Sequence, residues 1–144
     1  MSGSLFGNEP DPAQRDQAIV DAYARAGRTL DDLPYTEEFE TVMVLVRETD
    51  SDATHREVFH RLHNLRKAGK LIKLGRAAST PPRLDEEHEQ LLINLVTTEA
   101  GTLGQRDQLP YTDGFERVAA SFANQTGLQL SHHDLWRVIA KLAK

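Results

Sequence analysis

Between Thr54 and Arg76 the chain gathers the side chains best suited to polar chemistry: Arg56, His60, Arg61, His63, Asn64, Lys67, Lys70, Lys73 and Arg76. Charge follows them. Residues 52–83 carry a net +6, against −7 for 1–51 and −4 for 84–144, so the overall −5 conceals a basic third between two acidic ones. Local charge, more than the total, decides what a surface attracts. His55, His60 and His63 fall in the same stretch, and His60 and His63 stand one helical turn apart. No carboxylate or thiolate completes a ligand set and no HExxH occurs, so no metal is expected. His132 and His133 read as residues of a helix start.

Catalytic chemistry finds no convergent set. There is no Gly-rich phosphate loop, no G-x-S-x-G and no cysteine. The acidic pairs Glu37-Glu38 and Glu86-Glu87 fall in first helical turns, where the helix dipole accounts for them. The expectation is a non-enzymatic protein without a cofactor. The missing cysteines suit a reducing compartment. Residues 1–10 lack a basic stretch followed by an apolar one, and no apolar run nears the roughly 18 residues that span a bilayer, so a cytoplasmic chain with no membrane partner is expected.

The elements that position these residues come from an internal repeat. Asp32-Leu33-Pro34-Tyr35-Thr36-Glu37-Glu38-Phe39-Glu40 returns as Gln108-Leu109-Pro110-Tyr111-Thr112-Asp113-Gly114-Phe115-Glu116. Apolar stripes match beyond it. Phe39, Val42, Met43 and Val46 correspond to Phe115, Val118, Ala119 and Phe122. With one residue inserted, Val58, Phe59, Leu62 and Leu65 correspond to Leu135, Trp136, Ile139 and Leu142. The pattern predicts an all-α tandem duplication of a three-helix unit. Residues 1–9 are expected to be a flexible N-terminus, 10–74 the first repeat, 75–83 a linker and 84–144 the second repeat.

Within the first repeat, Asp11 and Pro12 open a helix that Gly27 stops. Thr36 caps the second helix, and Leu33-Pro34-Tyr35-Thr36 reads as a lead-in and capping device. Thr54-His55-Arg56-Glu57 is a capping box for the third. Lys70-Leu71-Ile72-Lys73-Leu74 leaves room for a small β-wing. The second repeat stops at Lys144, inside its third helix, which fits a domain of a longer protein as well as a complete one.

Three helices, a turn between the second and third, and a wing-like segment resemble the winged-helix or helix-turn-helix superfamily over residues 36–76, and without the wing over 112–144. The run Arg61-Leu62-x-x-Leu65-Arg66-Lys67-Ala68-Gly69-Lys70-Leu71-Ile72-x-Leu74-Gly75 carries the resemblance. It implies that Val58, Phe59, Leu62 and Leu65 face inward and that Arg56, His60, Arg61, His63, Asn64 and Lys67 face out. Arg forks onto guanine, Asn onto adenine, and Lys and Arg meet phosphates, with Lys70, Lys73 and Arg76 adding contacts from the wing. Duplex DNA is the implied partner, and a nucleic-acid-binding or transcription-regulatory module the implied function. An acidic protein partner suits the same cations, which makes a protein–protein interaction adaptor the alternative. The acidic first 51 residues could also screen this face.

In the second repeat His60, Arg61, His63 and Asn64 become Arg137, Val138, Ala140 and Lys141. Val138 and Ala140, read as exposed apolar positions, make this face the expected partner-binding surface and a route to a homodimer.

Overall fold

The computed structural model describes residues 10–144. The expected flexible segment 1–9 lies outside the described residues. The chain divides into two compact units, the first ending at Arg76 and the second running Ala77–Lys144. The described residues form helices and no strand. None of the helices is long and apolar enough to cross a membrane.

In the first unit, α1 (Pro12–Ala26) is fixed at both ends by local chemistry. The Asp11 carboxylate accepts from the Gln14 amide at 2.8 Å, and the Gln14 side chain accepts from the Asp11 amide at 3.1 Å. Gly27 then turns left-handed at φ 69° and donates to the Tyr23 carbonyl, closing the helix. A short 3₁₀ helix, Leu30–Asp32, leads to α2 (Glu37–Arg47), and α3 (His55–Lys67) follows. The capping box of α3 is complete: Thr54 Oγ1 accepts from the Glu57 amide, and the Glu57 carboxylate accepts from the Thr54 amide. Ile19, Ala22 and Tyr23 of α1 meet Phe39, Val42, Met43 and Val46 of α2 and Val58, Phe59, Leu62 and Leu65 of α3 in one core.

The Leu-Pro-Tyr-Thr segment owes its role to one hydroxyl. Thr36 Oγ1 donates to the Leu33 carbonyl at 2.6 Å and accepts from the Phe39 amide at 3.2 Å. Tyr35 between them takes a left-handed φ of 64°, which costs an L-residue roughly 1 kcal/mol. Closing the turn and capping the helix with the same oxygen offsets that strain.

The second unit places α4 (Glu86–Ala100), a 3₁₀ helix (Leu103–Gln108), α5 (Asp113–Thr126) and α6 (His132–Leu142) in sequence. Asp85, Thr112 and Ser131 cap the three α-helices. Thr112 Oγ1 donates to Leu109 at 2.6 Å and accepts from Phe115 at 3.3 Å, and Tyr111 again has φ 64°. Leu92, Val96, Phe115, Val118, Phe122, Trp136 and Ile139 are buried here. The bidentate pair of Arg117 with Glu99, at 2.8 and 2.9 Å, ties α5 to α4.

The β-wing does not form: residues 70–74 carry neither helix nor strand. A hairpin needs a second strand, and the following stretch, with Gly75, Pro81 and Pro82, supplies none. Gly69, left-handed at φ 74°, instead turns the chain so that the Lys70 amide bonds the Leu65 carbonyl, finishing α3.

One ion pair stabilises the first unit from within. Asp32 is fully buried, and Arg28 donates to its carbonyl at 2.8 Å, lies 3.2 Å from its carboxylate and reaches Glu38 at 3.0 Å. Arg28→Ala removes the cation paired with the buried carboxylate and is expected to destabilise the protein by about 3 kcal/mol, read as a fall in the urea midpoint. Thr112→Ala, which removes a cap and a turn bond, is expected to cost about 1 kcal/mol. Equal losses in the two variants would refute this ranking.

Candidate nucleic-acid interface

The outer side of α3 and the segment after it form the candidate surface. His60, Arg61, Lys67, Lys70, Lys73 and Arg76 are exposed, while Arg56 and Asn64 are partly covered. From 58 to 84 the chain holds seven Lys/Arg and no Asp/Glu, so any neutralising charge must come from elsewhere in the fold. Part of it does. Asp16 of α1 accepts from Arg61 Nε at 2.7 Å and Nη2 at 2.6 Å. That contact holds the Asp16 carboxyl below the usual carboxylate range and raises the Arg61 guanidinium further, with Lys70 adding a weaker pull on Asp16. Asp31 lies 3.8 Å from Arg66, and the Glu40 carboxylate faces His55 at 2.9 Å. The acidic N-terminal third thus screens part of the basic face, and it does so through particular side chains.

His63 departs from its expected outward position. It is 5% exposed, with its ring edge-on to Phe59 at a centroid distance of 4.6 Å and its Nδ1 3.3 Å from the Arg66 guanidinium. Position 63 is one turn beyond Phe59, on the flank of the apolar stripe, and that i,i+4 spacing was the available signal. His63 belongs to the core edge. Arg66, which the outward set did not include, is exposed and stands beside it. Asn64 lies within 3.4 Å of His60 Nε2, so these two polar groups meet each other across one turn.

The expected partner surface of the second unit is also corrected. Arg137, Val138 and Ala140 are 7%, 1% and 0% exposed, and only Lys141 of that set faces solvent. Arg137 donates from Nε to Ser79 Oγ at 3.0 Å and from Nη2 to the Ser79 carbonyl at 3.1 Å, so the segment expected to be a plain linker lies over α6. Every residue from Leu135 to Ala140 is buried. A helix apolar on nearly all sides is covered on all sides, and this run contains one polar residue in six. The homodimer expected through Val138 and Ala140 therefore loses the surface on which it rested.

Among the described residues, no group of three His, Asp or Glu side chains is placed to hold a metal ion. No protein-family model, no curated protein and no solved structure matches the chain.

Two outcomes follow from this geometry. A carboxyl held low in the folded state adds stability above its unfolded value near 4, and that stability is lost as the pH falls through the folded value. In an NMR titration, Asp16 is therefore expected to protonate below the ordinary range, and Arg61→Ala should return it to that range; an unmoved midpoint would refute the pairing. Val138→Asp, which places a charge in a buried site, is expected to destabilise the fold by more than about 3 kcal/mol. A fully stable variant in urea denaturation would mean that Val138 is accessible after all.

Proposed function

We propose that the chain is a non-enzymatic nucleic-acid-binding module that meets the phosphate backbone of duplex DNA through the C-terminal half of α3 and the segment that follows. The observation that carries this reading is the row Lys67, Lys70, Lys73 and Arg76: all four are exposed in an acid-free stretch, and none forms an ion pair among the described residues. Cations spaced in this way neutralise phosphates and release counterions. His60 and the accessible parts of Arg56 and Asn64 are the groups of α3 left to meet base edges, since Arg61 is engaged and His63 is buried. In this reading α2, the turn and α3 act as a helix-turn-helix without a wing, binding mainly through backbone contacts.

The two units are read as diverged copies of one ancestral unit. Support comes from the left-handed tyrosines, the doubly bonded threonines, and the pairs His55–Glu40 and His132–Glu116 at 2.9 and 2.8 Å. The first copy is assigned the charged partner, because the third helix of the second is buried from Leu135 to Ala140.

An adaptor for an acidic protein is the second reading. Ile72, 55% exposed among Lys70 and Lys73, is the observation in its favour, since an apolar contact adds nothing to phosphate binding.

Binding of a labelled duplex, followed by fluorescence anisotropy, is expected to weaken with salt at a log–log slope of about −3 to −4 for four phosphate contacts. Lys67→Glu with Lys73→Glu should abolish it. A protein that ignores duplex DNA at low salt, yet binds an acidic peptide through these lysines, would establish the adaptor instead.

A further inference from the structure

We propose that Asp16 is an intramolecular competitor of the nucleic-acid phosphate, a latch on α1 that occupies Arg61 until a stronger anion displaces it. The inference rests on the nucleic-acid reading and concerns regulation of the same surface. The contact itself has the form of phosphate recognition. Arg61 presents Nε and Nη2 to the two oxygens of Asp16 at 2.7 and 2.6 Å, the parallel fork that guanidinium offers to a phosphate. It joins residues 45 positions apart, so it is a tertiary contact between α1 and α3.

The partners differ in exposure. The Arg61 side chain is 45% accessible and that of Asp16 is 23%. A polyanion in solution can therefore reach the cation, while the carboxylate stays sheltered. The pair also stands between open spaces. Asp16 lines a cavity of about 240 Å³ with Ile19, Val58 and Arg61, and a second of about 550 Å³ with Val20, Leu65 and Lys70. Arg61 borders the first of these, which Asp50 and Glu57 also line, so open space adjoins the guanidinium on that side.

One carboxylate offsets two cations here, because Asp16 also feels the charge of Lys70 at longer range. The second unit lacks the device entirely. Counting from the capping residues Asp11 and Asp85, Gln90 stands where Asp16 does, and Val138 replaces Arg61. Both members are missing from the unit whose third helix is buried. Displacement is an exchange of anions at Arg61: the two bonds to Asp16 break, two bonds to a phosphate form, and Asp16 is left to water and Lys70.

The test measures anisotropy of a labelled mixed-sequence duplex of about 20 base pairs across a salt series, with circular dichroism confirming that each variant is folded. Asp16→Asn keeps the shape of the side chain and is expected to tighten binding about three- to tenfold and to steepen the salt slope by up to about 0.9, as the Arg61 contact with phosphate goes from partly to fully made. Adding Arg61→Gln should erase that gain, whereas Arg61→Gln in the native background should change affinity less than about twofold. Asp21→Asn removes the same charge from α1 where the side chain bonds Gln17 and not Arg61, and should have little effect. Equal tightening by Asp16→Asn and Asp21→Asn would mean that net charge alone acts, which overturns the latch. Weaker binding by Asp16→Asn would make Asp16 an orienting support for Arg61, which overturns it too. Native protein that binds while Asp16→Asn leaves affinity and slope unchanged defeats the latch and spares the nucleic-acid reading; failure of both proteins to bind defeats that reading and the latch with it.

Discussion

The hydroxyl of Thr36, bonded at once to the Leu33 carbonyl and the Phe39 amide, sets the direction in which α2 leaves the turn. Much follows from that direction. With Leu33 fully buried and Tyr35 left-handed, α2 starts abruptly and presents Phe39, Val42, Met43 and Val46 inward. Phe39 then receives the His55 ring edge-on at 5.6 Å, and Glu40, the next residue, meets the same imidazole. The start of α3 is thereby positioned from α2. In the second unit Thr112, Phe115, Glu116 and His132 stand in the corresponding relation. A unit of this size has a small core and little to spare, so a misdirected middle helix would lose the docking of the third. Strain at a single tyrosine is tolerated because the surrounding bonds over-determine it.

What was legible in the sequence is what is decided within about four residues. Asp11, Thr54 and Gly27 mark their helix ends because a cap bonds amides or carbonyls one turn away. The stripes at 39–46 and 58–65 name the core because 3.6-residue periodicity is intrinsic to the helix. Orientation toward neighbours is a different matter. The periodicity puts His63 and Val138 outward only if each third helix has one covered face, and how wide that face is depends on what packs around it. The partner of Arg61 was equally hidden: an acidic N-terminal third was visible, but nothing local singles out Asp16 from the other ten acids of residues 1–51. The two 3₁₀ helices and the Arg28–Asp32 pair were not anticipated, since both arise from how the connection between α-helices is folded back.

Intramolecular neutralisation in the first unit has a boundary along the chain. Asp16 meets Arg61 and Asp31 lies near Arg66, but from Lys67 to Arg76 no ion pair forms among the described residues. At physiological salt, charges beyond about 8 Å are largely screened from one another. The negative total of the chain therefore does not govern this stretch; nearby carboxylates do, and their ion pairs end with α3. The position of that boundary has a structural cause. Acids from α1 and the 3₁₀ helix form their ion pairs with the part of α3 packed beside them, and beyond Gly69 only the longer-range pull between Asp16 and Lys70 continues that screening among the described residues. In the second unit the sequence of α6 left few cations to screen, and burial of Arg137 on Ser79 takes another out of play. A covered third helix cannot present a charged face, however it is substituted, whereas a half-exposed one followed by a basic segment without helix or strand can. Exposure of that helix, more than its composition, separates what the two units are able to attract.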